Sequence, residues 1–261
     1  MDVRHTLMRT ALSIIVPAFN EAARIGPTLT ALQAALPSIV PAWEIRVVDD
    51  GSTDDTGAVV EAAAAAAGDT RIVLQREPHR GKGGAVRAGM LASRGDLRFL
   101  CDADLSMPVT ELPRFLAQVP ATCDIAIGSR EGEGARRVGE PGLRHAMGRV
   151  FNTLVRRLVL QGIEDTQCGF KMFTGAAADA VFSRITLDGW AFDIETLVVA
   201  QRLGLRVVEM PIEWHYRDRS QVSPVRDSLL MARDVLRIRA RAARGRYDVP
   251  RDRAATEARS R

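Results

Sequence analysis

The sequence is poor in cysteine and in aromatic residues, and it has no long hydrophobic run. Its 261 residues include three cysteines, which are far apart and lack the spacing of zinc ligands. Scattered, unpaired cysteines favour a reducing compartment. No stretch reaches the about 18–20 apolar residues of a membrane-spanning helix, and the first ten residues carry Arg4, His5 and Arg9 where a signal peptide needs apolar side chains. We therefore expect a cytoplasmic protein without a membrane-spanning segment.

Positive charge is concentrated at the C-terminus. The net charge is +4, but residues 226–261 contain eleven arginines and five acidic residues, an excess of six. The rest of the chain is therefore slightly acidic, and the basic character belongs to the C-terminal segment. An apolar content of 46% is ample for one sizeable core.

Short apolar runs typical of strands alternate with longer helical patterns through the first half. This alternation predicts an α/β protein whose mostly parallel sheet is doubly wound, with helices on both faces. The predicted strands lie at residues 13–17, 44–48, 71–74, 97–101 and 124–128. Ligands of such sheets bind where the strands end.

The second half begins with a polar, glycine-rich segment. Residues 130–142 have no apolar period, which predicts a mobile loop that acts as a lid over the site. An amphipathic helical pattern follows at 143–160. Further on, we expect a strand at 169–173, a helix at 190–203 and a strand at 205–212.

Acidic and polar residues follow three of the predicted strands. Asp102-Ala103-Asp104 comes directly after one strand, and such a pair suits a hard divalent cation that carries a diphosphate, although D-x-D is also common in turns. The segment from Pro17 to Glu21 follows another strand, and Asp49 and Asp50 follow a third. Asp side chains there can accept from a pyrimidine N3–H or from ribose hydroxyls, and Phe19 can flank a base. Because these ends meet at one sheet edge, the sequence predicts a nucleotide-sugar enzyme.

A glycine-rich turn at residues 79–84 opens the next helical pattern. Its backbone N–H groups and Lys82 could contact phosphate. The turn is not a P-loop, because Gly83 stands where Ser or Thr is needed, and Val86 replaces the third glycine of a dinucleotide fingerprint. Both absences argue against kinases and dehydrogenases.

Seven motifs between about residues 13 and 214 resemble one enzyme family. They are SIIVPAFNEA, VVDDGSTDDT, GKGGAVRAGM, FLCDADLSMP, AIGSR, IEDTQCGFKMF and GWAFDIETLVVAQRLGLRVVEMPIEW. The chain resembles family 2 glycosyltransferases of the GT-A fold, and among them the polyprenyl-phosphate sugar synthases. DTQCGFK and WAFDIE are especially similar to dolichyl-phosphate β-glucosyltransferases.

The resemblance implies a role for each matching residue. It assigns the nucleotide sugar to Pro17, Phe19, Glu21, Asp49, Asp50, Lys82, Asp102, Ala103, Asp104 and Gln167. It assigns Mg²⁺ or Mn²⁺ to Asp102 and Asp104, and the reacting groups to Asp104, Arg130, Asp165 and Asp193. It assigns the acceptor phosphate to Arg130, Arg144, Arg217 and Arg219. Two positions depart from the family: Phe19 stands where many relatives have Tyr, and Gln221 stands where they have Lys.

A lipid phosphate would simplify the chemistry of the acceptor. It is already anionic, so it needs positioning and charge stabilisation and no general base. Attack opposite the leaving nucleoside diphosphate would then invert the anomeric carbon. Asp193 and Glu195 stand where hydroxyl-transferring relatives often have their base, and they could instead bind sugar hydroxyls or form structural ion pairs.

The C-terminal segment has the pattern of an amphipathic helix. Apolar residues recur at Met231, Val235, Ile238 and Ala242, and arginines repeat the spacing on a rotated face. This pattern predicts a helix at an anionic membrane surface, and a helix packed on the domain would show the same pattern.

We divide the chain into three parts. Residues 10–215 are predicted to form one GT-A domain, in which 130–160 supplies the lid and the amphipathic helix on the acceptor side. Residues 216–247 are predicted to form a basic membrane-interface segment, and 248–261 a disordered tail.

The function predicted from these features is transfer of glucose from UDP-glucose to a polyprenyl phosphate, at the cytoplasmic membrane face. A mannosyl enzyme that uses GDP-mannose and a transferase to a hydroxyl acceptor are the alternatives. A nucleic-acid binder would leave the strand-end acids unexplained, so no nucleic-acid partner is expected.

Overall fold

The chain folds around a central sheet, seen here in a computed structural model that describes residues 11–68, 70–217 and 224–248. The first half contains β1 (Ala11–Ala18), α1 (Ala22–Ile39), β2 (Ala42–Asp49), α2 (Thr56–Ala67), β3 (Ile72–Arg76), α3 (Lys82–Ala92) and β4 (Leu97–Leu100). A short 3₁₀ turn (Val109–Glu111) leads into α4 (Leu112–Gln118), β5 (Ile125–Ser129), β6 (Arg136–Val138), α5 (Gly142–Leu158), β7 (Lys171–Thr174), α6 (Gly175–Phe182), α7 (Phe192–Arg202), β8 (Val207–Pro211), β9 (Glu213–His215) and α8 (Pro224–Ala243).

Within these described residues, seven strands form one sheet in the order β3-β2-β1-β4-β7-β5-β8. All neighbouring pairs are parallel except those that β7 makes with β4 and β5. The chain moves outward from β1 to β3 and then returns to β4 on the other side of β1, so the strand order reverses between β1 and β4. Ligands of open α/β sheets bind at such a switch point, at the carboxyl ends of the strands. The predicted fold class is confirmed.

Alternate residues of the central strands supply two hydrophobic cores, one on each face of the sheet. Ile14 and Val16 belong to the core under α1, whereas Ile15 belongs to the core under α3, α6 and α7. All three side chains are fully buried. A strand that is covered on both faces reads as a continuous apolar run, which is why β1 is so clear in the sequence.

The predicted lid contains regular structure that its composition does not indicate. Arg136–Val138 forms β6, which pairs in parallel with β9 as a separate two-stranded sheet. Arg137 bonds the Arg130 carbonyl (3.0 Å), Glu131 (2.7 Å) and Glu140 (2.6 Å). A distant strand and an ion-pair network thus replace apolar contacts in this segment, and the mobility and lid function predicted for residues 130–142 stay predictions.

The apolar face of α8 packs on the domain. Val235, Ile238 and Ala242 are buried in the same core as α7, and the buried Tyr247 extends the folded unit beyond residue 215. The prediction that this face lies in a membrane is wrong, because these side chains already have protein partners. Of the tail at 248–261 that is predicted to be disordered, all residues after Asp248 lie outside the described part.

In the part of the chain that the structure describes, no helix combines the length and the apolar character that crossing a bilayer would require.

Replacing Ile238 tests whether α8 belongs to the folded core. Ile238→Ala should lower the free energy of unfolding by about 2–4 kcal/mol, because it opens a cavity in a buried contact. Leu236→Ala is the matched control on the exposed side of the same helix, where a change within about 0.5 kcal/mol is expected. Urea unfolding followed by circular dichroism measures both. Equal effects of the two variants would show that α8 does not pack as described.

Candidate active site

The carboxyl ends of β1, β2, β4 and β5 meet at one edge of the sheet. The reversed strand β7 begins at this edge, so residues 165–170, which precede it, lie there as well. The fold thus brings the predicted motifs of the first half together with the DTQCGF segment. Their side chains form a row of acids and cations beside the switch point.

Lys82 and Asp102 form an ion pair at the centre of the site. The Lys82 Nζ to Asp102 Oδ1 distance is 2.6 Å. Although burial opposes its charged form, Asp102 has a lowered pKa because of the neighbouring Lys82 charge. Gly169 makes the position of this carboxylate possible, since a Cβ there would lie 2.1 Å from Asp102 Oδ2. The glycine of DTQCGFK therefore makes room for the first acid of the D-x-D motif.

Asp104 lies in the turn that follows. Its Oδ1 accepts bonds from the Ser106 backbone N–H (3.0 Å) and hydroxyl (2.8 Å), which leaves Oδ2 for a ligand. Leu105 between them has a φ of +46°, a conformation that costs energy for a residue with a side chain. The turn thus holds the Asp104 carboxylate in a fixed direction.

Glu21, Asp102 and Asp104 are close enough for their charges to interact. Burial raises the pKa of Glu21, and the charges of Asp104 and Asp102 add to this effect while Arg24 opposes it. Hard carboxylate oxygens suit Mg²⁺ or Mn²⁺. Among the described residues, no three His, Cys, Asp or Glu side chains form a metal site on their own. Asp102 and Asp104 could supply two of the oxygen ligands of such an ion.

The loops after β1 and β2 are tied to each other and to the glycine-rich turn. Asp49 accepts the Ser52 N–H (2.9 Å), and Asp50 accepts the N–H groups of Arg80 and Gly81 (both 2.9 Å). Both predicted base-binding acids are buried. Their carboxylates thus shape the loops, and any contact with a nucleotide would use their remaining lone pairs.

An aromatic stack flanks these loops. The rings of Phe19 and His79 lie 4.2 Å apart at an interplanar angle of 21°. His79 Nδ1 lies 3.0 Å from the Asp50 carbonyl and 2.9 Å from its carboxylate, so this nitrogen carries the proton and Nε2 of the neutral ring is an acceptor. Phe19 is where the sequence predicts it, and His79 is a contact that the sequence analysis missed.

The glycine-rich turn packs closely on the loop at 186–190. A Cβ at Gly83 would lie 2.5 Å from the Leu187 carbonyl, and the Gly84 N–H donates to the Asp188 carbonyl (3.2 Å). Lys82 points from this turn towards Asp102 and lies 5.7 Å from the centre of the Trp190 ring. Its cation thus lies beside Asp102, while the backbone holds the loop at 186–190; the predicted contact of Lys82 with phosphate stays a prediction.

Arg130 and Asp165 form the second ion pair of the site. Asp165 accepts bonds from the Arg130 backbone N–H (2.9 Å), Nε (2.7 Å) and Nη2 (2.8 Å). Asp165 is fully buried, which opposes ionisation, but Arg130 lowers its pKa to about 2. Arg130 also lies over the Trp214 ring at 5.3 Å, so its guanidinium has a fixed position and a partly exposed face. Asp165 is thus a positioning residue for Arg130.

Lys171 and Asp193 form a third, buried pair. Lys171 Nζ donates to Asp193 Oδ1 and to the Cys168 carbonyl. Burial raises the pKa of Asp193, and Lys171 opposes this shift. Sequence analysis named Asp193 but not Lys171. The lysine at the start of a buried strand, inside DTQCGFK, is the signal that could have found it.

Glu195 has a structural role. Its carboxylate accepts the backbone N–H groups of Thr186 and Leu187 (both 2.8 Å) and the hydroxyls of Thr186 (3.0 Å) and Tyr247 (2.6 Å). Glu195 thus holds protein segments together, which is the structural alternative to the roles of base and sugar ligand.

The remaining predicted residues fall in different places. Pro17 is buried in β1, and the Ala103 carbonyl accepts the Thr28 hydroxyl (2.7 Å). Gln167 Nε2 lies 3.3 Å from Met231 Sδ, so this side chain faces α8. Arg217 is exposed after β9. The Arg144 side chain, Arg219 and Gln221 lie outside the described part of the structure.

Cys168 is inert. Burial, followed by the Asp165 charge, raises the pKa of its thiol to about 12, so the thiolate is not available.

An acidic corner at a switch point, with cations opposite it, suits an α/β enzyme that handles phosphate-bearing substrates. The family model for glycosyl transferase family 2 matches residues 13–182. The chain belongs to this family and is a glycosyltransferase.

Curated relatives support the same assignment. The dolichyl-phosphate β-glucosyltransferase of Dictyostelium discoideum is 33% identical over 250 residues, which are 91% of this chain and 76% of the relative. The enzyme of that name from Saccharomyces cerevisiae is 33% identical over 254 residues, 90% of this chain and 76% of the relative. The resemblance read from the sequence motifs is confirmed.

Solved structures share the fold. The glucosyl-3-phosphoglycerate synthase of Mycobacterium tuberculosis, in complex with phosphoglyceric acid, has a TM-score of 0.69 at 19% identity, over 91% of this chain and 83% of that one. A complex of that enzyme with Mn²⁺, uridine diphosphate and glucosyl-3-phosphoglycerate has a TM-score of 0.63 at 20% identity, over 95% of this chain and 84% of that one.

The Arg130–Asp165 pair predicts how stability depends on pH. The Asp165 pKa is 3.8 in a model peptide and about 2 in the fold, so the pair contributes about 2 kcal/mol that is fully present above pH 4 and is lost as the pH falls towards 2. Asp165→Asn should therefore lower the free energy of unfolding at pH 7 and 5 by a similar amount, and the difference from the native chain should shrink below pH 4.

Urea unfolding at each pH measures this difference. Asp124→Asn is the matched control, since Asp124 is a partly exposed acid that accepts the Arg206 N–H. Its effect should be small. A difference between Asp165→Asn and the native chain that stays constant down to pH 3 would contradict the lowered pKa.

Proposed function

We propose that this glycosyltransferase moves glucose from UDP-glucose to the phosphate of a polyprenyl phosphate, with inversion at the anomeric carbon. The names of the relatives support a glucosyl donor and a dolichyl-type acceptor. The Mn²⁺ and uridine diphosphate in the complex of the structural neighbour are consistent with a uridine nucleotide.

The observation that carries the proposal is that the candidate bases are already engaged. Asp193 is bound to Lys171, and Glu195 accepts four protein bonds. A hydroxyl acceptor needs a carboxylate that is free to take its proton. A phosphate acceptor at neutral pH needs none, so a site whose buried acids are ion-paired suits a phosphate.

The reaction then consists of one displacement. An oxygen of the acceptor phosphate attacks the anomeric carbon on the face opposite the nucleotide, a new C–O bond forms, and the bond to the diphosphate breaks. The electron pair leaves with UDP, and no proton has to move. Arg130, fixed by Asp165, would hold the phosphate against charge repulsion, and Lys82 would stabilise charge on the diphosphate.

Asp102 and Asp104 would hold a divalent metal together with the diphosphate oxygens. When bound, Mg²⁺ or Mn²⁺ would neutralise part of the diphosphate charge as a Lewis acid. Glu21 is close enough for its charge to interact with both carboxylates. It also pairs with Arg24 (2.5 Å), whose positive charge offsets the third negative charge beside the proposed metal site.

Association with a membrane surface follows from the proposed acceptor. Val150 and Leu154, one turn apart on α5, are 73% and 44% exposed. Arg149, Arg156 and Arg157 on the same helix are also exposed. Exposed apolar side chains flanked by arginines suit the headgroup region of an anionic bilayer. We therefore assign the membrane contact to this face of α5 and not to the buried face of α8.

Transfer can be measured by incubating the protein with a labelled nucleotide sugar, Mg²⁺ or Mn²⁺ and undecaprenyl phosphate, and extracting the product into organic solvent. We expect label in the organic phase with UDP-glucose. Asp104→Ala should reduce this label by at least about a thousandfold, because the substitution removes a ligand of the metal that holds the diphosphate. Glu61→Ala, on the exposed side of α2, is the control and should retain activity.

Other outcomes of this assay are informative. Label that reaches the organic phase only with GDP-mannose would replace the glucosyl donor by a mannosyl one. Label confined to water with every donor would rule out the lipid acceptor. Near-native activity of Asp104→Ala would rule out its role at the metal.

The α5 face is tested by vesicle binding. The double variant Val150→Asp and Leu154→Asp should sediment at least about tenfold less with vesicles of anionic lipid, because it replaces apolar contacts by charges that the headgroups repel. Leu91→Asp, an exposed apolar residue on α3, is the control. Equal sedimentation of both variants and the native chain would rule out this membrane contact.

A further inference from the structure

We propose that a cleft between residues 186–190 and helix α8 binds the first isoprene units of the lipid acceptor. The inference rests on the proposed function and extends it from the phosphate to the prenyl chain. The cleft has a volume of about 350 Å³, which lies in the range of about 300–1,000 Å³ typical of small-molecule sites. Leu187 and Trp190 line one wall, and Leu230 and Met231 line the other.

Both walls contact side chains of the active site. Trp190 lies against Lys82, which is paired with Asp102. On the other wall, Met231 Sδ lies 3.3 Å from Gln167 Nε2, and the Gln167 backbone N–H donates to Asp165 (3.2 Å). The cleft therefore runs between the Lys82–Asp102 pair, where the leaving diphosphate is proposed to bind, and Arg130, which would hold the acceptor phosphate. A chain attached to that phosphate could enter it directly.

The charges at the cleft favour an apolar occupant. Asp234 pairs with Arg233 (3.4 Å) and with Arg237 (3.1 Å), and Asp188 pairs with Arg80 (3.0 Å). Each of the four charged lining side chains therefore has a partner, so the cleft presents no uncompensated charge that would call for an ionic ligand. A prenyl chain would instead pack on the tryptophan, leucine and methionine surfaces and leave the ion pairs intact at the rim.

A buried carboxylate holds the two walls together. Glu195 accepts the backbone N–H groups of Thr186 and Leu187 on one side, and the hydroxyl of Tyr247 from the segment after α8 on the other. Arg241 of α8 lies 3.6 Å from the same carboxylate. The cleft is thus a preformed site and not a gap between two loosely associated elements.

The rim of the cleft exposes an apolar side chain. Leu230 lines the cleft and is 37% exposed. Covering this side chain with a prenyl chain would be favourable, because apolar surface would leave water.

Filling the cleft tests the proposal. Met231→Trp should raise KM for geranyl phosphate at least about tenfold, since displacing a single isoprene unit from an apolar site costs more than about 1.4 kcal/mol. UDP binding, followed by calorimetry, should not change. Leu236→Trp makes the same kind of change on the same helix outside the cleft, and its KM should stay native.

As a second measurement, geranyl phosphate with a diazirine on its second isoprene unit should label native peptides that contain Trp190 or Met231.

The outcomes distinguish an error in the cleft assignment from an error in the proposed function. If the native chain transfers glucose to geranyl phosphate but Met231→Trp and Leu236→Trp have the same KM, or label appears elsewhere, the cleft assignment is wrong and the proposed function stands. If the native chain transfers sugar to no prenyl phosphate, the proposed function fails and the cleft assignment fails with it. Should Met231→Trp not fold, the labelling of the native chain decides.

Discussion

The reversal of one strand is the constraint on which the site depends. Because β7 runs antiparallel between β4 and β5, the segment before it reaches the edge where the other strands end. That segment delivers Asp165 to Arg130, and β7 itself delivers Lys171 to Asp193. In a fully parallel sheet the same residues would lie at the opposite edge, and neither ion pair could form.

Pairing of buried charges explains most of the local geometry. A carboxylate away from water is costly unless a cation or several N–H donors compensate it. Asp102 has Lys82, Asp165 has Arg130, and Glu195 has backbone donors from the loop at 186–190. These compensated acids hold loops and cations in place, so the residues that face a substrate are fixed before it binds, which is how a site gains preorganisation.

The same pairs bear on the chemistry. Two acids that could have served as bases are engaged, and Lys82 and Arg130 lie where the proposal places the two phosphate groups. Reaction between two phosphate-bearing molecules is opposed mainly by charge repulsion, and a preorganised cationic edge reduces it. A cleft that leads away from this edge with its charges already paired adds a route for the apolar part of the acceptor.

The sequence by itself determined the α/β class, the alternation of strands and helices in the first half and the family, because buried parallel strands read as apolar runs. It also placed the strand-end acids at one edge of the sheet, while the roles of those acids stay predictions. It left open whether the apolar face of α8 meets lipid or protein, since periodicity records an apolar face and not its partner; the burial of Ile238 decided this. It also missed β6, the stack of His79 on Phe19 and the partner of Asp193. These depend on contacts between distant segments, and only the tertiary structure brings such segments together.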